Sequence, residues 1–243
     1  MEPSLEGRVA VLTGAAGGLG RTVRGVLERE GARVVAVDIA GDGCDALDVA
    51  TEEGARRMVA LAEERHGGLD VLVLNAGAQF MAPLPEFPLE AWERLLGVML
   101  TGPFLALKHA WPALTRRPGG RVIVTASTSS LVGEAFKPAY VSAKHGVAGL
   151  VKVAALEGAR SGLTVNAVAP GWMWTPMAEG QLDDQARLHG RSRDEVLEAM
   201  RTHNPAGRMV EPAEVAEVIA FLASARASGI SGAVIPVDLA SGA

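Results

Sequence analysis

The segment from Arg8 to Glu30, RVAVLTGAAGGLGRTVRGVLERE, runs from a short β-branched stretch through a glycine loop into residues of helical spacing. Strand, glycine loop and helix start, in that order, open a βαβ unit in which N–H groups at the helix N-terminus face a pyrophosphate. Gly14, Gly18, Leu19 and Gly20 form this loop, where glycine lets the backbone come close to a ligand. The next apolar run, ARVVAVD, ends in Asp38. A carboxylate there can accept hydrogen bonds from both adenosine ribose hydroxyls and would repel a 2′-phosphate. No Arg or Lys interrupts the loop or directly follows Asp38, so the expected cofactor is NAD rather than NADP.

The same rhythm continues. Leu69 to Leu74, RVIVTA and LTVNAVA read as buried strands and GAVIPVD as a last strand, alternating with helical stretches such as TEEGARRMVALAEERH, LEAWERLLGVMLTGPFLALKHAW and EPAEVAEVIAFLAS. This predicts an α/β fold with a doubly wound parallel sheet, helices on both faces, and one domain over residues 1–243. With 49% hydrophobic residues in 243, the chain can bury one sizeable core. Asp48-Val49 precedes a helix that Asp48 is expected to cap, with contact to adenine as the alternative. Asn75-Ala76-Gly77 ends a strand in a turn beside the cofactor. From Trp172 to about Arg208 the chain has charges at helical spacing and is long for a connection, which predicts a lid over the site at about 172–208.

The net charge is −5 and the basic residues are scattered, which argues against nucleic acid as a partner. Cys44 is the single cysteine and the five histidines do not cluster in sequence, so no metal site is expected. The opening MEPSLEGR is polar and no apolar run reaches the ~20 residues of a bilayer span. A soluble cytoplasmic protein is expected.

The chemistry-bearing stretch is STSSLVGEAFKPAYVSAK, Ser127 to Lys144. On a helix, Tyr140 and Lys144 share one face a turn apart. A free phenol ionises near pH ~10, and a cation alongside favours the phenolate needed for a general base. Ser127, at the end of the run RVIVTA, can converge with them on one alcohol or carbonyl.

Thr13-Gly14-x-x-x-Gly18-x-Gly20, Asn75-Ala76-Gly77, Ser127, Tyr140-x-x-x-Lys144 and Pro170-Gly171, in register over nearly the whole chain, resemble the short-chain dehydrogenase/reductase family. The resemblance implies a Rossmann-like domain, usually a homotetramer, with a small-molecule substrate. It makes Tyr140 the acid/base, gives Lys144 the nicotinamide ribose and the lowering of the tyrosine pKa, and sets Ser127 against the reacting oxygen. It assigns cofactor contacts to the glycine loop, Asp38, Asp48, Val49, Asn75, Ala76, Gly77, Pro170 and Gly171, and a carboxamide contact to Thr175. A finer likeness is to D-3-hydroxybutyrate dehydrogenases. There the residues matching Gln79, Lys137 and Gln181 bind the substrate carboxylate, and the one matching Trp172 packs on its methyl end.

Two departures bear on function. Ser129 stands where that group has a carboxylate-binding histidine, and Met99, in Val98-Met99-Leu100-Thr101-Gly102, stands where the family has an asparagine that positions a proton-relay water. Three readings therefore stand: an NAD-dependent 3-hydroxy acid dehydrogenase, a dehydrogenase for another secondary alcohol or ketone, and an NAD-binding protein whose catalysis is impaired by Met99.

Overall fold

A computed structural model describes residues 4–41, 43–116 and 118–242. The first three residues of the polar opening segment lie outside these. Seven strands are β1 Val9–Thr13, β2 Arg33–Asp38, β3 Asp45–Ala46, β4 Val71–Leu74, β5 Arg121–Thr125, β6 Thr164–Pro170 and β7 Val234–Val237. They form one parallel sheet in the order β3-β2-β1-β4-β5-β6-β7. The two-residue β3, too short to carry a hydrophobic pattern, is the strand that sequence periodicity does not predict.

Alternation along the strands divides the core into two layers. Val11, Leu72, Val124 and Val165 face α2 (Glu52–His66), α4 (Gly102–Thr115) and α5 (Pro138–Gly158). Leu12, Val73, Ile123 and Val168 face α1 (Gly18–Arg29) and α9 (Pro212–Ala223). Burial of a large aliphatic side chain stabilises by about 1.5–3 kcal/mol, so a one-residue register slip in any central strand would exchange the two layers at great cost. The chain reverses direction of winding between β1 and β4, and the crevice beyond the C-terminal ends of those strands is where ligands of such sheets bind.

The helix expected from Leu89 to Trp111 is broken. α3 (Leu89–Leu96) passes through a π-helical turn, Gly97–Thr101, into α4. Pro103 has no N–H to offer the Met99 carbonyl, which frees that turn to widen. The long segment after β6 folds as α6 (Pro176–Glu179), α7 (Leu182–His189) and α8 (Arg193–Thr202). Its base is pinned where Met173 bridges Val210 and Val210 N–H donates to the Trp172 carbonyl at 2.9 Å. Among the described residues no helix is long and apolar enough to cross a membrane.

Candidate active site

The glycine loop is shaped by backbone crowding. A Cβ on Gly20 would lie 1.9 Å from the Gly14 carbonyl oxygen, and one on Gly14, whose φ is +67°, would lie 2.7 Å from Ala76 Cα. Gly18 faces Pro176 and Thr175, with only 3.0 and 3.2 Å left for a Cβ, so the start of α1 and the start of α6 meet across the crevice. α1 has no side-chain cap and no acidic residue in its first turn, which leaves its positive end available to an anion. Asp38, at the end of β2, accepts from Ala16 N–H at 2.9 Å and Ile39 N–H at 2.8 Å, which ties its carboxylate to the loop. This donor set fits a dinucleotide: glycine loop and helix N-terminus for the pyrophosphate, Asp38 for a ribose diol.

Asn75 ties three strands together. Its side-chain amide donates to the Thr13 and Gly14 carbonyls at 3.2 and 3.1 Å, and its Oδ1 accepts from Thr125 Oγ1 at 3.2 Å. Thr13 Oγ1 in turn accepts from the N–H groups of Asn75 and Ala76. The asparagine thus fixes the floor of the crevice. Asp48 does not cap α2. Thr51 does, accepting from Gly54 N–H at 3.0 Å, while Asp48 closes a local turn by accepting from Ala50 N–H at 2.9 Å. Val49 packs partly buried against the core.

β5 delivers Ser127 and α5 delivers Tyr140 and Lys144. Lys144 is buried, with its Nζ 5.5 Å from the Tyr140 ring centroid and donating to the Thr125 carbonyl at 2.6 Å. Burial brings Lys144 down to about 8 and pushes Tyr140 up to about 12, the latter partly offset by the Ser127 hydroxyl. Tyr140 therefore rests as a phenol. Met99, 2% exposed, packs with Leu95, Ala139, Ala143 and Tyr140, so the side of the tyrosine behind the cavity is apolar.

Above these residues lies a cavity of about 320 Å³. All the expected substrate contacts, Gln79, Ser127, Lys137, Tyr140, Trp172 and Gln181, line it, together with Pro170, Gly171 and Thr175. Their hydrogen bonding departs from a ready-made carboxylate site. Lys137, 3% exposed and 4.5 Å above the Trp172 ring, is paired with Glu134 at 2.5 Å. Burial lowers the Lys137 pKa, and Glu134 partly offsets this. The second oxygen of Glu134 accepts from Ser129 Oγ at 3.0 Å. Gln79, on the cavity wall, accepts from Phe80 N–H through its Oε1, so its NH₂ is the group left to donate. Gln181 donates its NH₂ to the Met177 carbonyl at 2.9 Å, so its buried Oε1, without a partner among the described residues, is what it offers a ligand.

Glu134 is the site residue that sequence reasoning missed. A carboxylate three residues before Lys137 was visible in the run GEAFK. Their contact depends on Phe136, which turns the chain at φ +66°, a left-handed conformation costly for an aromatic residue and held here because its carbonyl accepts from Ala82 N–H. The segment after β6 adds an outer wall that includes Met177, Met200, His189, Arg191 and His203.

A parallel sheet with a glycine-loop crevice and a Ser-Tyr-Lys set at its C-terminal edge defines a dinucleotide-dependent oxidoreductase. Residues 14–239 match the family described as enoyl-(acyl carrier protein) reductase, and the chain belongs to the short-chain dehydrogenase/reductase family, whose members use a nicotinamide cofactor. It is 40% identical to an uncharacterized oxidoreductase of Bacillus subtilis over 95% of this chain and 96% of that one. It is 36% identical to a D-beta-hydroxybutyrate dehydrogenase of Rhizobium meliloti over 95% and 97%. The crystal structure of levodione reductase superposes with a TM-score of 0.91 at 31% identity, covering 97% of both chains.

Proposed function

We propose that this enzyme is an NAD-linked dehydrogenase that interconverts a small secondary alcohol and its ketone, and that it favours substrates without a carboxylate. The observation that carries the reading is the Lys137–Glu134 pair: the ammonium that would hold a substrate carboxylate already holds one from its own chain. A second anion beside Glu134 would be repelled, and the unpartnered Gln181 oxygen asks for a hydroxyl or N–H donor instead. Asp38 supports NAD over NADP by repulsion of a 2′-phosphate.

When bound, the nicotinamide gives or accepts the hydride. Tyr140 exchanges the proton with the reacting oxygen, which Ser127 orients from the other side. The resting phenol suits protonation of a ketone oxygen, and Lys144 stabilises the phenolate formed as it does so. The same reading takes residues 1–243 as one catalytic domain with a substrate lid at about 172–208. It also takes the protein as cytoplasmic and homotetrameric, the exposed Phe104, Val153 and Leu156 offering apolar surface for subunit contacts.

The test is cofactor reduction with D-3-hydroxybutyrate, its L enantiomer, the D ester and a panel of neutral secondary alcohols, with NAD and NADP in parallel. Turnover of the ester and neutral alcohols well above the acid, with NAD, is the expected result. A D-selective preference for the acid would instead establish a second reading, 3-hydroxy acid oxidation. That reading draws support from the likeness to the Rhizobium meliloti dehydrogenase and would require Glu134 to release Lys137. Cofactor binding without turnover of any member would favour the catalytically impaired reading.

A further inference from the structure

We propose that Glu134 is the terminus of a proton relay that carries protons between Tyr140 and solvent through Ser127 and Ser129. The hydroxyls of Ser127 and Ser129 form a chain to Glu134 along the cavity wall that Tyr140 shares. Ser127 Oγ neighbours the Tyr140 hydroxyl, donates to Ser129 Oγ at 3.2 Å, and Ser129 Oγ donates to Glu134 Oε2 at 3.0 Å. Both donors point away from the tyrosine, the direction in which a proton must leave during alcohol oxidation. The far end is wet: the Glu134 side chain keeps 30% of its surface exposed, while Lys137, bonded to its other oxygen, keeps 3%.

No comparable chain is visible on the opposite side of Tyr140 among the described residues. Met99 fills that side with a thioether, a weak acceptor, and Lys144 donates to a backbone carbonyl. The backbone supports the relay instead. Ser129 N–H donates to Ser127 Oγ at 3.1 Å and Ser130 Oγ to the Ser127 carbonyl at 2.6 Å, which locks the short helical turn carrying both serines.

The step balances without an added reactant. In oxidation the carbinol hydrogen leaves with its electron pair to the oxidised nicotinamide, and the hydroxyl proton passes to the Tyr140 oxygen. Tyr140 gives its own proton to Ser127, Ser127 to Ser129, and Ser129 to Glu134, which then releases one proton to water. Each hydroxyl ends with the proton count it began with, and Tyr140 never has to persist as a free phenolate. Reduction runs the same chain backward. The charged and titratable groups around Glu134 are Lys137, at the N-cap of α5, and Tyr140 within α5, with His189, Arg191 and His203 lining the same cavity.

The relay rests on Tyr140 being the acid/base, not on the substrate being neutral. It is tested with the full-length enzyme and cofactor, using the best substrate of the panel above. Ser129→Ala and Glu134→Gln are each expected to slow turnover at least about ten-fold. They should also reduce the solvent deuterium effect that reports several protons in flight, and small imidazole or carboxylate buffers should restore part of the rate. Ser129→Thr keeps the hydroxyl and should keep the rate. Wild-type rates and isotope effects in Ser129→Ala would overturn the relay. Should no panel member turn over, Tyr140 still decides the matter: it is the only tyrosine, so one ¹³C-labelled phenol signal reports it. A relay requires that signal to move in Glu134→Gln and to move by clearly less when Ser129→Ala is already present, whereas equal changes in the two backgrounds would mean only through-space charge.

Discussion

Lys144 approaches the Tyr140 ring to 5.5 Å from its centroid yet spends its hydrogen bond on the Thr125 carbonyl, at 2.6 Å. The lysine is thereby fastened to the end of β5 while the tyrosine, a turn earlier on α5, faces the cavity. Both pay in burial, in opposite senses: Lys144 falls from 10.5 to about 8 and Tyr140 rises from 10.0 to about 12.

Stability should follow these two shifts. Between about 8 and 10.5 the unfolded chain holds the Lys144 proton and the folded chain does not, so stability rises with pH through that window. Between 10.0 and about 12 the folded chain keeps the Tyr140 proton longer, so stability falls as pH rises there. Denaturant midpoints across this range should show the rise diminished in Lys144→Met and the fall diminished in Tyr140→Phe. Parallel curves for all three proteins would contradict the burial of both groups.

Tyr140→Phe should lower turnover by about 10²–10⁴, the usual contribution of a general acid/base. NAD affinity, read by fluorescence titration, should stay close to wild type, because the pyrophosphate and ribose contacts proposed above lie at the glycine loop and Asp38, away from the phenol. Retained activity would remove Tyr140 from the mechanism.

Asp38→Ala should weaken NAD binding and erase discrimination against NADP, measured as the ratio of kcat/KM for the two cofactors. The variant also loses the bond to Ala16 N–H, so some loosening of the loop is expected with either cofactor. An unchanged ratio would show that the carboxylate does not meet the ribose.

The parallel, doubly wound sheet and the crevice were legible because each has a local cause: β-branched runs, glycines where a Cβ has 1.9 or 2.7 Å, and helices between strands. The cavity-lining set from Gln79 to Gln181 was legible through family likeness. What those residues do with their hydrogen bonds was not. Gln181 presents oxygen because the Met177 carbonyl takes its NH₂, and Lys137 is occupied because the turn at Phe136 brings Glu134 back onto it. Such pairings depend on backbone conformation a few residues away, which composition and spacing do not encode. The π turn at Gly97–Thr101 was hidden for a similar reason, since its apolar periodicity continues unbroken through the proline that opens it.

Met99→Asn separates packing from proton transfer. Met99 lies at 2% exposure among Leu95, Ala139, Ala143 and Tyr140, so the substituted amide enters an apolar cluster with few partners. An unsatisfied buried polar group costs about 1–3 kcal/mol, and the thermal midpoint should fall by about 2–4 °C for each kcal/mol in a chain of this size. Turnover should change little while Ser127, Ser129 and Glu134 remain, because the proton already has a route to solvent. In a Glu134→Gln background, by contrast, the asparagine should recover part of the lost rate if it can order water behind Lys144. A large gain in the otherwise wild-type enzyme would mean that Met99, and not the serine chain, limits the proton's escape.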